Sequence, residues 1–343
     1  MRPVTIIGGG LAGLTLGIVL RQENVPVTLW EAARYPRHKV CGEFISGRGQ
    51  DILSARGLLP LFLSAGARDA VDACFFSPNR QSKILRLPQP ALCLSRFVTD
   101  KLLSDEFLRL GGELKQGSRW KDDFRGEGVV RATGRQVQNS VRGWRWFGLK
   151  IHARNVPMAA DLEVHFFPYG YIGLCRLRDA VNVCGLLRSR SGTPHLQQEW
   201  RSWLLGGNDS FLRSRFANAE FDQSSFSVVA GLGLEPRVAI PRDECCIGDA
   251  LTMIAPVTGN GMSMAIEAAE LSVAPLRDFS RGKIGWSDAR KIISRNCARQ
   301  FTSRLRWASV LQGAFFSKFT RSGVLFAASK WEDLWLRFFA KTR

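Results

Sequence analysis

The sequence contains no Cys-x-x-Cys pair, only four histidines, and no unbroken apolar run of eighteen residues. Its eight cysteines are scattered and the histidines do not cluster with them, which argues against a zinc site and against a small disulfide scaffold. Without a long apolar run no membrane-spanning helix is expected, and Val4-Thr5-Ile6-Ile7 is too short for the apolar region of a signal peptide. The expectation is a cytoplasmic chain with reduced thiols, soluble or at most peripheral to a membrane. Acidic residues are scarce: 30 Asp and Glu face 48 Lys and Arg, a net charge of +18. That surplus suits nucleic acid, an anionic membrane, an acidic carrier protein or a phosphate-rich cofactor, and suits equally a basic solvated surface. Zinc fingers and basic zippers are missing, so no nucleic-acid partner is expected.

What remains is globular. With 343 residues, 45% hydrophobic and 23% charged, the chain has room for two domains and a large core. Its opening is the most informative stretch. Val4–Ile7 reads as a buried parallel strand, and Gly8-Gly9-Gly10-Leu11-Ala12-Gly13 follows at once as Gly-x-Gly-x-x-Gly. Leu11 to Arg21 carries helical apolar spacing, and Pro26 to Trp30 reads as a second strand ending at Glu31. The spacing fits dinucleotide binding. Gly8 allows a tight turn, Gly10 lets backbone approach a diphosphate, and Gly13 lets helix and strand pack closely. The helix start at Leu11 and Ala12 offers free N–H groups, and Glu31 can accept a ribose hydroxyl. An acid at position 31 disfavours a 2′-phosphate, so FAD or NAD is expected rather than NADP.

Further along, Arg96 to Leu110 predicts a helix ended by Gly111-Gly112, and Val129 to Gly134 a short strand. Trp146 to Val183 alternates in strand fashion and predicts an antiparallel sheet inserted into an α/β domain. Glu199 to Phe216 reads as one helix. Cys245 to Ala250 reads as a strand ending in Gly248-Asp249, followed by Pro256-Val257-Thr258-Gly259-Asn260-Gly261 and an apolar helix from Met262 to Val273. Asp249 is placed to bind a sugar or ribityl hydroxyl, and the Gly-Asn-Gly turn aims a helix start at an electron-rich group.

Together these segments resemble the flavoprotein superfamily of geranylgeranyl reductases, FAD-dependent monooxygenases and flavin halogenases, from Pro3 to about Leu276. The resemblance implies a glutathione-reductase-like, Rossmann-type FAD domain with an inserted antiparallel β-sheet substrate domain and a helical C-terminus. On that reading residues 1–60, 93–140 and 237–280 form the FAD domain, 61–92 and 141–236 the substrate domain, and 281–343 a basic helical region. It implies FAD contacts from Gly8, Gly10, Leu11, Ala12, Gly13, Glu31, Lys39, Arg96, Asp249, Pro256, Gly259, Asn260, Gly261 and Met262. Lys39-Val40-Cys41-Gly42 resembles the Lys-x-Cys-Gly loop of geranylgeranyl reductases, whose cysteine lies near the flavin, although Glu43 stands where that branch often has a second glycine. Cys41 and Glu43 are the candidate catalytic residues. Thr133 stands where aromatic hydroxylases often have Asp, and Gly143-Trp144-Arg145-Trp146-Phe147-Gly148 breaks the halogenase Gly-Trp-x-Trp-x-Ile-Pro pattern, which disfavours halogenation. No second Gly-x-Gly-x-x-Gly exists, so NAD(P)H or a flavin-reducing partner is expected to act transiently.

The expected activity is FAD-dependent oxidoreduction of a lipophilic, aromatic or polyketide-like substrate. Hydroxylation through a flavin hydroperoxide and flavin-hydride reduction of a C=C bond both remain open. Phe166, Phe167, Tyr169, Tyr171 and Leu174 are candidate substrate-wall residues, and no metal is expected. From Arg277 to Arg343 there are fifteen Lys or Arg against four Asp or Glu. Trp331, Leu334, Trp335 and Phe338 fall on one helical face, which fits either packing on the FAD domain or peripheral membrane contact; a carrier-tethered substrate also suits the charge. The alternative is a basic membrane- or nucleic-acid-associated protein in which flavin is structural only.

Overall fold

The computed structural model describes residues 1–78, 80–135, 143–190, 196–206, 210–233, 243–317, 320, 323 and 332–343. Two sheets dominate. The first is wholly parallel and holds β1 (Val4–Ile7), β2 (Val27–Glu31), β7 (Glu113–Gln116), β8 (Val129–Arg131) and β14 (Cys245–Cys246), in the order β14-β8-β1-β2-β7. Short β-branched and apolar segments suit it, because helices cover a parallel sheet and leave its strands little water. The second sheet holds β3 (Phe44–Ile45), β4 (Arg68–Ser77), β5 (Arg80–Gln81), β6 (Leu85–Cys93), β9 (Arg145–Arg154), β10 (Leu162–Phe167), β11 (Gly170–Arg176), β12 (Val181–Ser189) and β13 (Glu220–Ala230). Its order is β13-β9-β12-β11-β10-β4-β6-β3, with β5 paired to β4.

The helices are α1 (Leu11–Gln22), α2 (Arg48–Ala55), α3 (Leu59–Ser64), α4 (Arg96–Arg109), α5 (Leu196–Leu205), α6 (Phe211–Arg215), α7 (Gly261–Ser280), α8 (Trp286–Phe316) and α9 (Glu332–Lys341). Every residue of α1 from Leu11 to Leu20 is buried, because α4 and α7 both pack on it. Ser95 caps α4 by accepting the Val98 N–H, as the preference for serine at that position requires. The main core joins β1, β2, α1, α7 and α8; a second core lies between the larger sheet and the α5–α6 segment.

Three expectations need correction. The inserted sheet is mixed rather than antiparallel, because β10 runs parallel to β4, a strand from an earlier part of the chain. Glu199–Phe216 is two helices. Gly206 adopts φ 68°, which ends α5, and Ser210 starts α6 by accepting the Leu212 N–H. The strand before Gly-Asp is only two residues long, and Gly248–Ala250 is a 3-10 turn. Trp331 and the side chains of Leu334, Trp335 and Phe338 lie outside the described residues. No helix among the described residues is long and apolar enough to cross a membrane.

Candidate functional site

A cavity of about 1120 Å³ opens between the two sheets. One end is the glycine fingerprint. β1 stops at Ile7, and Gly8 turns the chain with φ 112°, a value that suits glycine. α1 then starts without a side-chain cap. Its first-turn N–H groups have no intrahelical partner, so they are available to an anion beside Gly8, Gly10, Leu11 and Ala12, which all line the cavity. Gly13 lies behind this wall, where a Cβ would overlap the Gly8 carbonyl. A Cβ on Gly10 would meet only the Lys39 Nζ, at 3.9 Å, so that glycine leaves open space at the helix start.

Glu31 closes β2 at the same place. Its buried carboxylate accepts the N–H groups of Gly9 and Ala33, each at 2.9 Å, and the Arg37 guanidinium at 2.9 Å. A carboxylate has about four lone-pair positions, so Glu31 can still accept a hydroxyl. Lys39 and Arg96 converge on Asp100, with Lys39 Nζ at 2.8 Å and Arg96 bidentate at 2.8 and 3.0 Å. Asp100 is fully buried; despite that burial, the Arg96 and Lys39 cations hold its carboxyl below the ordinary range. Two cations share one anion here, and both line the cavity. The surplus positive charge suits a diphosphate.

The opposite wall comes from the end of the parallel sheet. Asp249, Pro256, Gly259, Gly261 and Met262 line the cavity. Burial pushes the Asp249 carboxyl above its usual range, with Arg96 and Arg135 opposing, and no donor among the described residues hydrogen-bonds it. An orphaned carboxylate facing a cavity is a place for a ligand hydroxyl. α7 also begins without a side-chain cap. Asn260 does not face the cavity; it is buried, and its Nδ2 donates to the Thr342 carbonyl at 2.6 Å. Phe339, Thr342 and Arg343 thereby form part of the wall, a contribution that the sequence pattern did not flag.

Cys41 and Glu43 lie in the cavity wall between these ends. Burial pushes the Cys41 thiol up, against the pull of Arg96, so it is a thiol rather than a thiolate. Its sulfur accepts the Glu43 N–H at 3.4 Å. Glu43 is fully buried but occupied on both oxygens: Oε1 accepts the Arg96 N–H at 2.9 Å and meets Lys150 Nζ at 3.2 Å, and Oε2 meets His152 Nε2 at 2.7 Å. These bonds, despite the desolvation they resist, hold its carboxyl low. Lys150, His152 and His38 were not singled out from the sequence.

The larger sheet supplies the far wall. Phe75, Phe166 and Tyr171 face the cavity, and Phe166 stacks on Phe315 of α8 at 4.5 Å. Phe167 and Tyr169 do not. They stack on each other at 5.6 Å on the opposite face, where Trp203 meets Tyr169 edge-on at 5.4 Å. Strand alternation explains this: neighbours along β10 point to opposite faces, so Phe166 and Phe167 cannot share a wall.

The uncapped helix starts, the space at Gly10 and an Asp249 with no hydrogen-bond donor among the described residues together fit FAD. Comparison with known proteins agrees. Residues 1–147 match the family "FAD binding domain". The chain is 22% identical to the tryptophan 2-halogenase of Chondromyces crocatus, over 90% of this chain and 66% of that protein. It is 29% identical to the rifampicin monooxygenase of Streptomyces venezuelae, over 40% of this chain and 30% of that protein. It thus matches less than two thirds of the length of either relative. The structure of the flavin-dependent brominase Bmp2 superposes with a TM-score of 0.76 at 17% identity, covering 98% of this chain and 93% of that one, a likeness of fold. The chain carries an FAD-binding domain homologous to those of flavin-dependent halogenases and monooxygenases.

Proposed function

We propose that the protein is an FAD-dependent monooxygenase of a hydrophobic, aromatic or polyketide-like small molecule. One observation carries the reading: the same cavity is lined by the glycine fingerprint and by the aromatic face of the larger sheet. Bound FAD would supply two-electron redox chemistry. The start of α1, with Lys39 and Arg96, would hold the diphosphate; Glu31 would accept ribose hydroxyls and Asp249 a ribityl hydroxyl. The start of α7 would turn its positive end to negative charge on the flavin ring. Phe75, Phe166 and Tyr171 would orient a flat substrate and exclude water. NAD(P)H bound in passing, or a separate flavin-reducing partner, would deliver electrons. The basic surface supports an acidic carrier protein or an anionic membrane as the source of substrate.

Two other outcomes have their own support. The match to a tryptophan 2-halogenase over 90% of the chain supports halogenation of the same substrate class. Cys41 in the cavity wall, on its Lys-x-Cys-Gly loop, supports reduction of a C=C bond. One set of incubations separates the three. The FAD-loaded protein receives NADPH with a flavin reductase, oxygen, bromide, and either indole or a polyprenyl alcohol. Mass spectrometry then reads the product. Gain of one oxygen supports the proposal, exchange of hydrogen for bromine supports halogenation, and gain of two hydrogens supports reduction. A protein that takes up no FAD overturns all three.

A further inference from the structure

Beside the cavity lies a chain of four titratable side chains drawn from separated parts of the sequence. His152 Nε2 meets Glu43 Oε2 at 2.7 Å, Glu43 Oε1 meets Lys150 Nζ at 3.2 Å, and Lys150 Nζ meets His38 Nδ1 at 2.9 Å. His38 and Glu43 line the cavity. The two imidazoles are themselves neighbours, meeting edge-on at 5.2 Å. His152 pairs in register with Asp222, an exposed carboxylate on β13. β13 shifts register between Asp222 and Ser227 at this point, and Ser225 within the irregularity accepts the His152 N–H at 2.7 Å. The four groups therefore form a compact cluster between the outer strand of the sheet and the cavity.

A buried ion pair between Glu43 and Lys150 needs neither imidazole. The two histidines extend the pair, and a neutral imidazole can accept a proton at one ring nitrogen while giving one from the other. An ammonium only donates, so His38 Nδ1 accepts from Lys150 and the ring proton sits on Nε2. Burial, with the Lys150 and His152 charges behind it, pushes His38 down to about 4, while Glu43 and Asp222 pull the other way. The ring is therefore neutral across the working range. It also stacks on Phe97 at 4.5 Å, which fixes its plane.

We propose that His152, Glu43, Lys150 and His38 form a proton relay from solvent at Asp222 to the cavity, with His38 as the terminal donor. The proposal rests on the flavin-oxidoreductase reading, in which protons move with electrons. In one passage His38 gives its Nε2 proton to an oxygen anion of the cavity occupant and takes one at Nδ1 from Lys150. Glu43 takes the His152 Nε2 proton on Oε2, its carboxyl group turns over, and the proton passes to the Lys150 amine; His152 takes one at Nδ1 from a hydronium ion of the solvent near Asp222. No net charge is left behind, and exchange with water resets both ring tautomers.

The test uses the FAD-loaded protein with ¹⁵N-labelled histidine. Nitrogen NMR is expected to find His38 as the Nε2–H tautomer from pH 5 to 8, and to find that preference lost in Lys150→Met and kept in Lys150→Arg. In parallel, dithionite-reduced protein is mixed with oxygen in H₂O and D₂O. His38→Gln is expected to keep its flavin, to slow the proton-coupled step by about 100-fold, and to lose its solvent isotope effect and pH dependence. Asp222→Asn, at the surface, is expected to weaken both, and it carries the kinetic test if Lys150→Met fails to fold. His38 protonated at Nδ1, or titrating near its ordinary value, overturns the relay. So does an unchanged isotope effect in His38→Gln and Asp222→Asn with flavin bound. Failure of the unaltered protein to take up flavin overturns the flavin reading instead, and the NMR measurement then decides the relay's geometry alone.

Discussion

Gly10 and Gly13 stand one helical turn apart and answer to opposite constraints. A side chain at 10 would enter the cavity, whereas one at 13 would strike the Gly8 carbonyl. Gly10→Leu is therefore expected to fold normally and to lose FAD, read as the flavin absorbance that survives gel filtration. Gly13→Ala is expected to cost about 1–3 kcal/mol of stability, read by urea unfolding. His38 gives a pH-dependent counterpart. Its folded value of about 4 lies below its ordinary 6.5. Between those limits the unfolded chain binds a proton that the folded chain refuses, so stability falls as pH drops through that window. His38→Gln is expected to flatten that part of the stability curve. Lys150→Met would strand the buried Glu43 carboxylate, and its expected cost is about 3–5 kcal/mol. The glycines were legible because their chemistry is written within one contiguous stretch. Lys150 and His152 were not, because in sequence they are two polar residues alternating through an apolar strand. Only the pairing of β9 with its neighbours and the return of the 38–43 loop bring them to Glu43.

The β10–β11 hairpin shows what one residue of register decides. Phe166 and Tyr171 are opposite partners on the cavity face, while Phe167 pairs with Gly170 and faces the second core. Phe167→Ala is expected to cost about 3–5 kcal/mol, in thermal or urea melts, without altering FAD uptake. Phe166→Ala is expected to change which aromatic compounds bind, measured by their perturbation of the flavin spectrum. The strands themselves were readable from alternation, since a half-buried strand must present one apolar face. Which face met the cavity was not readable, because this sheet has apolar residues on both faces and a core on each. The parallel pairing of β10 with β4 was equally hidden. Strand alternation is the same for either direction, and the partner lies in a different stretch of chain. α5 and α6 were read together as helical because apolar spacing recurs on both sides of Gly206, whose φ of 68° ends α5.

Both sheets and the helices around them contribute to the cavity, whose wall runs from Ile7 to Arg343. A ligand there touches both sheets at once. FAD at a hundred times its Kd is expected to add about 2.7 kcal/mol to the folding stability. Because it contacts both sheets, it is expected to raise a single thermal transition rather than one of two, which scanning calorimetry with and without FAD would show. The net charge of +18 acts at this level too, through attraction of anions, and was legible from composition alone. The parallel sheet has a further consequence for the life of the chain. Four of its five strands are complete by Arg131, yet the fifth, which covers the edge of β8, arrives only at Cys245. Until then a growing polypeptide carries β8 as an unpaired border, open to strands of its own inserted sheet or of neighbouring nascent chains. The nucleotide site, whose wall includes Asp249, Met262 and Arg343, is thus complete only late in synthesis.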